Sequence, residues 1–154
     1  MDVDAQLLKE RAQGFQDRGE FETALPLMLA SVQKRENSHT LCLSLSALGF
    51  LYIDMLKFKD AEHVAQRMLA EAHRYDTRNQ KRIAKEILKE AVKENNFGFV
   101  HGDTVQITMA GDPELGVKSG VLFGRCGGGG HYRVRCGPYD LLVPGRQLTK
   151  PTPL

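Results

Sequence analysis

Apolar residues recur at helical spacing through the first two thirds of the chain and at strand spacing after it. In residues 43–72, Leu45, Leu48, Gly49 and Tyr52 share one helix face, and Phe58, Ala61, Ala65 and Met68 share another. This pattern predicts two antiparallel helices with a tight corner, Gly49 and Ala61 standing where they approach closely. An earlier pair precedes it. Leu8, Ala12 and Phe15 stripe its first helix, Asp17-Arg18-Gly19-Glu20 forms the corner, and Phe21, Ala24, Met28 and Val32 stripe its second. Pro26 lacks a backbone donor and predicts a late start or a kink there. Ala24 and Ala61 are 37 positions apart, which sets the period. Asp76 and Thr77 are expected to cap a fifth helix striped by Ile83, Ala84, Ile87, Leu88, Ala91 and Val92. That helix would close the open end of the stack, because one helical repeat cannot bury its apolar face alone. Its opposite side carries Lys81, Lys85 and Lys89 with Glu86 and Glu90, read either as a solvated face or as a basic ligand-binding stripe.

Helical periodicity stops at Asn95-Asn96-Phe97-Gly98, where glycine and β-branched residues rise. Strands are expected over residues 104–109, 120–125, 131–136 and 139–143. Gly111-Asp112-Pro113, the glycines at 127–130 and Gly137-Pro138 separate them. A four-residue loop at 127–130 pairs Cys126 with His131, Arg125 with Tyr132, Phe123 with Val134 and Val121 with Cys136. The last three of these pairs share one face, which is mostly apolar and is expected inside; the other face carries His131, Arg133 and Arg135 opposite Cys126, Gly124 and Leu122. The same register puts Cys126 and Cys136 roughly 17 Å apart at ~3.4 Å per residue, too far for a disulfide. The chain thus divides into a helical domain over residues 1–96 and a small sheet domain over 97–154, an α+β fold.

Composition narrows the functional classes. The chain has 154 residues and a net charge of +2, so no global field draws it to nucleic acid or an acidic membrane. Residues 1–96 hold 15 Lys/Arg and 15 Asp/Glu, and residues 97–154 hold 6 and 4. No apolar run approaches the ~20 residues that span a bilayer. The acidic, helical start is unlike a secretory signal. Three widely spaced cysteines point to free thiols in a reducing compartment, and the cytoplasm is the expected location.

Leu48-Gly49, Tyr52, Phe58 and Ala61 are similar to the tetratricopeptide repeat pattern, a helix-turn-helix unit of about 34 residues. The resemblance covers about two units over residues 5–73, with Arg11-Ala12 standing where the first unit would carry Leu-Gly. It implies a groove lined by Lys9, Gln13 and Gln16 from the first unit and Ser46, Phe50 and Ile53 from the second. Some such domains clamp a terminal carboxylate with Asn where Gln13 and Ala47 stand here, so Phe50 and Ile53 imply an apolar helix or extended segment as ligand instead. In the sheet region, G-D-x-V-x-I, G-V-L-x-G, Y-R-V-R and L-L-V-P resemble SH3-like barrels of the KOW, Tudor and CAP-Gly kind. That implies a small antiparallel β-barrel.

Candidate chemistry is sparse. Cys126, His131 and Cys136 offer three ligands where structural zinc takes four, so no metal or cofactor is expected. No phosphate loop follows from the glycines at 127–130, because neither Lys nor Ser/Thr succeeds them. No nucleophile has a His and a carboxylate at a recognised spacing. The leading expectation is a non-catalytic protein-interaction module, an adaptor or assembly subunit. One alternative is RNA or ribosome binding through Lys118, Arg125, Arg133 and Arg135 around the barrel. Another is a Tudor-like reader of methylated peptides, needing a cage from Phe123, Tyr132 and Tyr139.

Overall fold

The computed structural model describes residues 2–75, 78–108, 117–126 and 130–150. Five helices come first: α1 (Asp2–Asp17), α2 (Phe21–Lys34), α3 (Leu41–Asp54), α4 (Phe58–Tyr75) and α5 (Arg78–Phe97). Then follow β1 (Thr104–Thr108), β2 (Val117–Cys126), β3 (His131–Cys136), β4 (Tyr139–Pro144), a 3-10 turn at Gly145–Gln147 and β5 (Leu148–Thr149). The expected caps Asp76 and Thr77, the turn at Gly111-Asp112-Pro113 and Met109 lie outside the described residues.

The helical part has a repeat-like arrangement whose period shows in the backbone. At the α1–α2 corner Gly19 takes φ 76°; its N–H donates to the Gln16 carbonyl (2.9 Å) and that of Glu20 to Phe15 (2.9 Å). At the α3–α4 corner Leu56 takes φ 62°, with Leu56 donating to Ile53 (2.9 Å) and Lys57 to Tyr52 (2.8 Å). These two bonds of the first corner recur in the second across the 37-residue step. Glycine holds the left-handed conformation without penalty. Leu56 bears a cost of about 1–2 kcal/mol, offset by burial of its side chain to 2% exposure. Helix α2 runs unbroken from Phe21 through Pro26, so it does not start late.

α3 meets α1 on one side and α5 on the other. A Cβ added at Gly49 would lie 2.9 Å from Ile87 of α5 and 3.5 Å from Val64 of α4, so this small residue admits the closing helix between its neighbours. A polar cluster ties the first three helices. The Ser31 hydroxyl donates to the Ala5 carbonyl (2.7 Å) and lies 2.7 Å from that of Ser44. Arg35, 2% exposed, donates to Ser44 (3.1 Å) and Gln6 (3.0 Å).

The sheet is antiparallel with strand order β4-β3-β2-β1-β5. It is not closed into a barrel, contrary to expectation: β5 has two residues and pairs with β1, and no strand among the described residues pairs with the outer edge of β4. The predicted pairs Cys126–His131 and Arg125–Tyr132 form, but a bulge at Phe123 then shifts the ladder by one. Leu122 faces Val134 and Val121 faces Arg135, instead of the expected Phe123–Val134 and Val121–Cys136 pairs. A bulge adds one residue to one strand and bends it. It turns Leu122 inward, fully buried, and leaves Val121 46% exposed.

The predicted boundary at 96/97 falls at the end of α5, yet both parts belong to one contiguous core that runs from Ala12 to Leu148. The sheet covers the end of the helical stack where α1, α3 and α5 finish and α2 begins. Phe21 of α2 packs on Phe123 (ring centroids 6.3 Å), and Gly124 lies against the Phe21 ring and the Asp54 carbonyl.

Candidate functional site

Two sets of residues were singled out by the sequence, and the structure treats them differently. On the α1–α3 face, Lys9 and Gln13 are half-buried on α1. Gln16 is committed internally, donating to the Asp54 carboxylate at 2.8 Å. Ser46 is half-buried and donates to the Leu43 carbonyl of its own helix (3.0 Å). Phe50 is 38% exposed, whereas Ile53 is fully buried and belongs to the core. Leu43, not foreseen, is 39% exposed. Its spacing of three and seven residues from Ser46 and Phe50 places all three on one face of α3, which was the signal available. α3 is otherwise buried nearly all round. Its open stripe is thus Leu43, Ser46 and Phe50, flanked by α1 and α5.

The predicted basic patch is taken apart by folding. Arg125 is 8% exposed and makes three ion pairs: to Glu90 (2.8 Å) and Glu94 (2.8 Å) of α5, and to Asp54 (3.3 Å) at the end of α3. Arg133 donates to the carbonyl of Asp17, the last residue of α1 (2.8 Å), and its guanidinium lies 5.9 Å from the Phe21 ring centroid. Helix C-termini carry unpaired carbonyls and partial negative charge, which cations satisfy. The sheet arginines therefore serve the helix ends. Arg135 stays exposed, paired with Asp140 (3.0 Å) and stacked 4.5 Å over Phe123. Lys118 sits opposite Ile107 in the β1–β2 ladder, and its side chain lies outside the described residues.

Burial shifts the ionisation of this junction. The Asp54 carboxyl is pushed above its ordinary value by desolvation, against the opposing pull of Gln16 and Arg125. Desolvation works against the charge of Arg125, but its hydrogen bond to Glu90 and the charges of Asp54 and Glu94 outweigh that and raise its pKa. The Tyr132 hydroxyl, pushed well up by desolvation and by Glu94, stays protonated and donates to Glu94 at 2.6 Å. Phe99 packs edge-on against the same ring (5.4 Å). Of the three candidate cage aromatics, Phe123 and Tyr132 are thus in the core, and Tyr139 is 69% exposed on β4.

Between the two corners and the sheet lies an open cleft of about 570 Å³ lined by Phe21, Met55 and Phe123 together with Arg18, Lys57, His101 and Arg135. Its charges are largely self-paired: Arg18 with Glu20 (3.2 Å) and Arg135 with Asp140. Asp54, Arg125 and Tyr132 do not line it. Cys42, Cys126 and Cys136 are free thiols, and no cluster of three metal-ligating side chains occurs among the described residues. No helix among them is long and apolar enough to cross a membrane. No protein-family model, curated protein or solved structure matches this chain.

Proposed function

We propose that this chain is a non-catalytic binding module, a subunit gripped by another protein across the α1–α3 face. The observation that carries this reading is Phe50: a large aromatic left 38% exposed on a helix that is otherwise almost wholly buried, in line with Leu43. The matching ligand is an apolar helix or extended segment of a partner, with an acidic group for Lys9. We read α1–α4 as two tetratricopeptide-like hairpins and α5 as the helix closing them; the 37-residue repetition of both corners supports this. The bent, bulged five-stranded sheet supports an SH3-like relationship without closure. Asp54, Arg125 and Tyr132, whose pKa values are displaced, are joined directly or through Glu94 inside the helix–sheet junction instead of opening to a cleft, which favours a structural role over catalysis for them.

The test is affinity purification of the full chain from native cells beside Phe50→Ala. Phe50→Ala removes a half-exposed ring and should leave the unfolding midpoint nearly unchanged while a specific co-purifying protein is lost. Retention of every partner by Phe50→Ala would place the binding face elsewhere.

A further inference from the structure

The outer face of α5 carries six of the chain's 21 Lys and Arg residues: Arg78, Lys81, Arg82, Lys85, Lys89 and Lys93. At 100° per residue all six fall within one third of the helix circumference, over about 22 Å of axis at 1.5 Å per residue. All but the half-buried Lys81 are exposed. Glu86, paired with Arg82 at 3.3 Å, is the acid on this side, while Glu90 and Glu94 are drawn round the helix to Arg125. Arg78, Lys81, Arg82, Lys85 and Lys89, with Glu86 among them, line an open, shallow groove along the helix.

This concentration is not what a solvated closing helix requires. Such a face gains stability from Glu and Lys alternating four residues apart; here Lys81, Lys85, Lys89 and Lys93 stack like charge on like charge at each i, i+4 step, which destabilises a helix. The chain as a whole carries only +2, so the field is local to this face. A rigid rod of positive charge complements a polyanion. The face has no aromatic residue on which unstacked bases would lie. Nor does it present an apolar side for insertion into a bilayer, since Ala84, Ile87 and Ala91 are spent in the core and Val92 stands alone among the cations. A duplex backbone, with one negative charge per ≈1.7 Å of axis, offers a phosphate to each cation along the rod.

We propose that the outer face of α5 is a docking surface for the sugar-phosphate backbone of a nucleic-acid duplex, engaged without regard to sequence. This surface is separate from the α3 stripe, and one can fail without the other.

The experiment titrates the full chain against fluorescein-labelled 20-base-pair DNA and RNA duplexes, the matching single strands, and vesicles containing phosphatidylserine. Duplex binding is expected at 50 mM salt, weakening on the order of 10²-fold by 200 mM if four or five cations make phosphate contacts. The DNA and RNA arms identify which duplex is preferred. Lys85→Glu combined with Lys89→Glu should weaken duplex binding at least tenfold. It should also raise the melting temperature by roughly 1–3 °C, because the 81/85 and 89/93 pairs change from like to opposite charge while the 85/89 pair stays like-charged. Phe50→Ala should bind duplex as the wild type does. Absence of duplex binding at 50 mM salt, vesicle binding in its place, an unchanged affinity for the Lys85→Glu/Lys89→Glu chain, or an equal loss on Arg135→Glu would each overturn the assignment.

Discussion

At Gly124 an added methyl group would overlap the Phe21 ring and come within 2.7 Å of the Asp54 carbonyl oxygen. Backbone cannot yield as a flexible side chain does, so Gly124→Ala should destabilise the fold by about 1–3 kcal/mol, read from urea unfolding. A neutral outcome would mean that the sheet does not sit on the α2–α3 ends as described. Arg125 is the second decisive residue. Arg125→Met leaves Asp54 and Glu94 buried without their cation and should cost about 3–5 kcal/mol, whereas Lys57→Met, an exposed cation at the α3–α4 corner, should cost under about 0.5 kcal/mol. Asp54 gives a pH test with an unusual sign. Its carboxyl titrates above its ordinary 3.8 in the folded chain, so the folded state holds the proton more tightly than the unfolded state. Stability from this group is highest below 3.8 and declines as pH rises to the folded value, then levels off. The stability of the wild type minus that of Asp54→Asn should therefore fall with rising pH across that window. A difference that rises with pH would show that pairing with Arg125, and not desolvation, governs this carboxyl. None of these roles was legible in the sequence. Arg125 and Arg133 read as a surface patch because a local pattern does not reveal that three helix C-termini arrive beneath them.

Among the elements, periodicity carried furthest. The helix stripes follow from residue spacing except at Val92, expected on the apolar stripe of α5 but 49% exposed, and the Gly19 corner and the 37-residue step recur in backbone hydrogen bonds. The α3–α4 corner was harder, because Leu56 holds the left-handed conformation where glycine would have announced it. Pro26 misled in the other direction: it lies exposed within α2, where the missing donor is tolerated. Strand alternation located β1 to β4 within a few residues but not the bulge at Phe123, since Leu122 and Phe123 are equally apolar and either suits the inward position. β5, at two residues, has no periodicity to read. The charge run of α5 was visible, while its one-sided character emerged only once Glu90 and Glu94 were seen to turn toward Arg125.

For the whole molecule, the composition shift at residues 95–98 marks a change of secondary structure across a continuous core. Arg125, Arg133, Phe123 and Gly124 fasten the sheet to the helix ends, and this makes the α3 stripe and the α5 rod two faces of one rigid body. A platform of that kind can present Phe50 and Leu43 to a partner at little ordering cost. Of the six foreseen groove residues, Lys9, Gln13, Gln16, Ser46 and Phe50 remain at least partly exposed, Gln16 with its amide bonded to Asp54, while Ile53 is taken by the core. The measurement that bears most directly on this account is urea unfolding of the full chain followed at once by far-ultraviolet circular dichroism for the helices and by amide exchange of β2 and β3 for the sheet. One body predicts coincident transitions that shift together in Arg125→Met; a sheet that unfolds while the helices persist would contradict it.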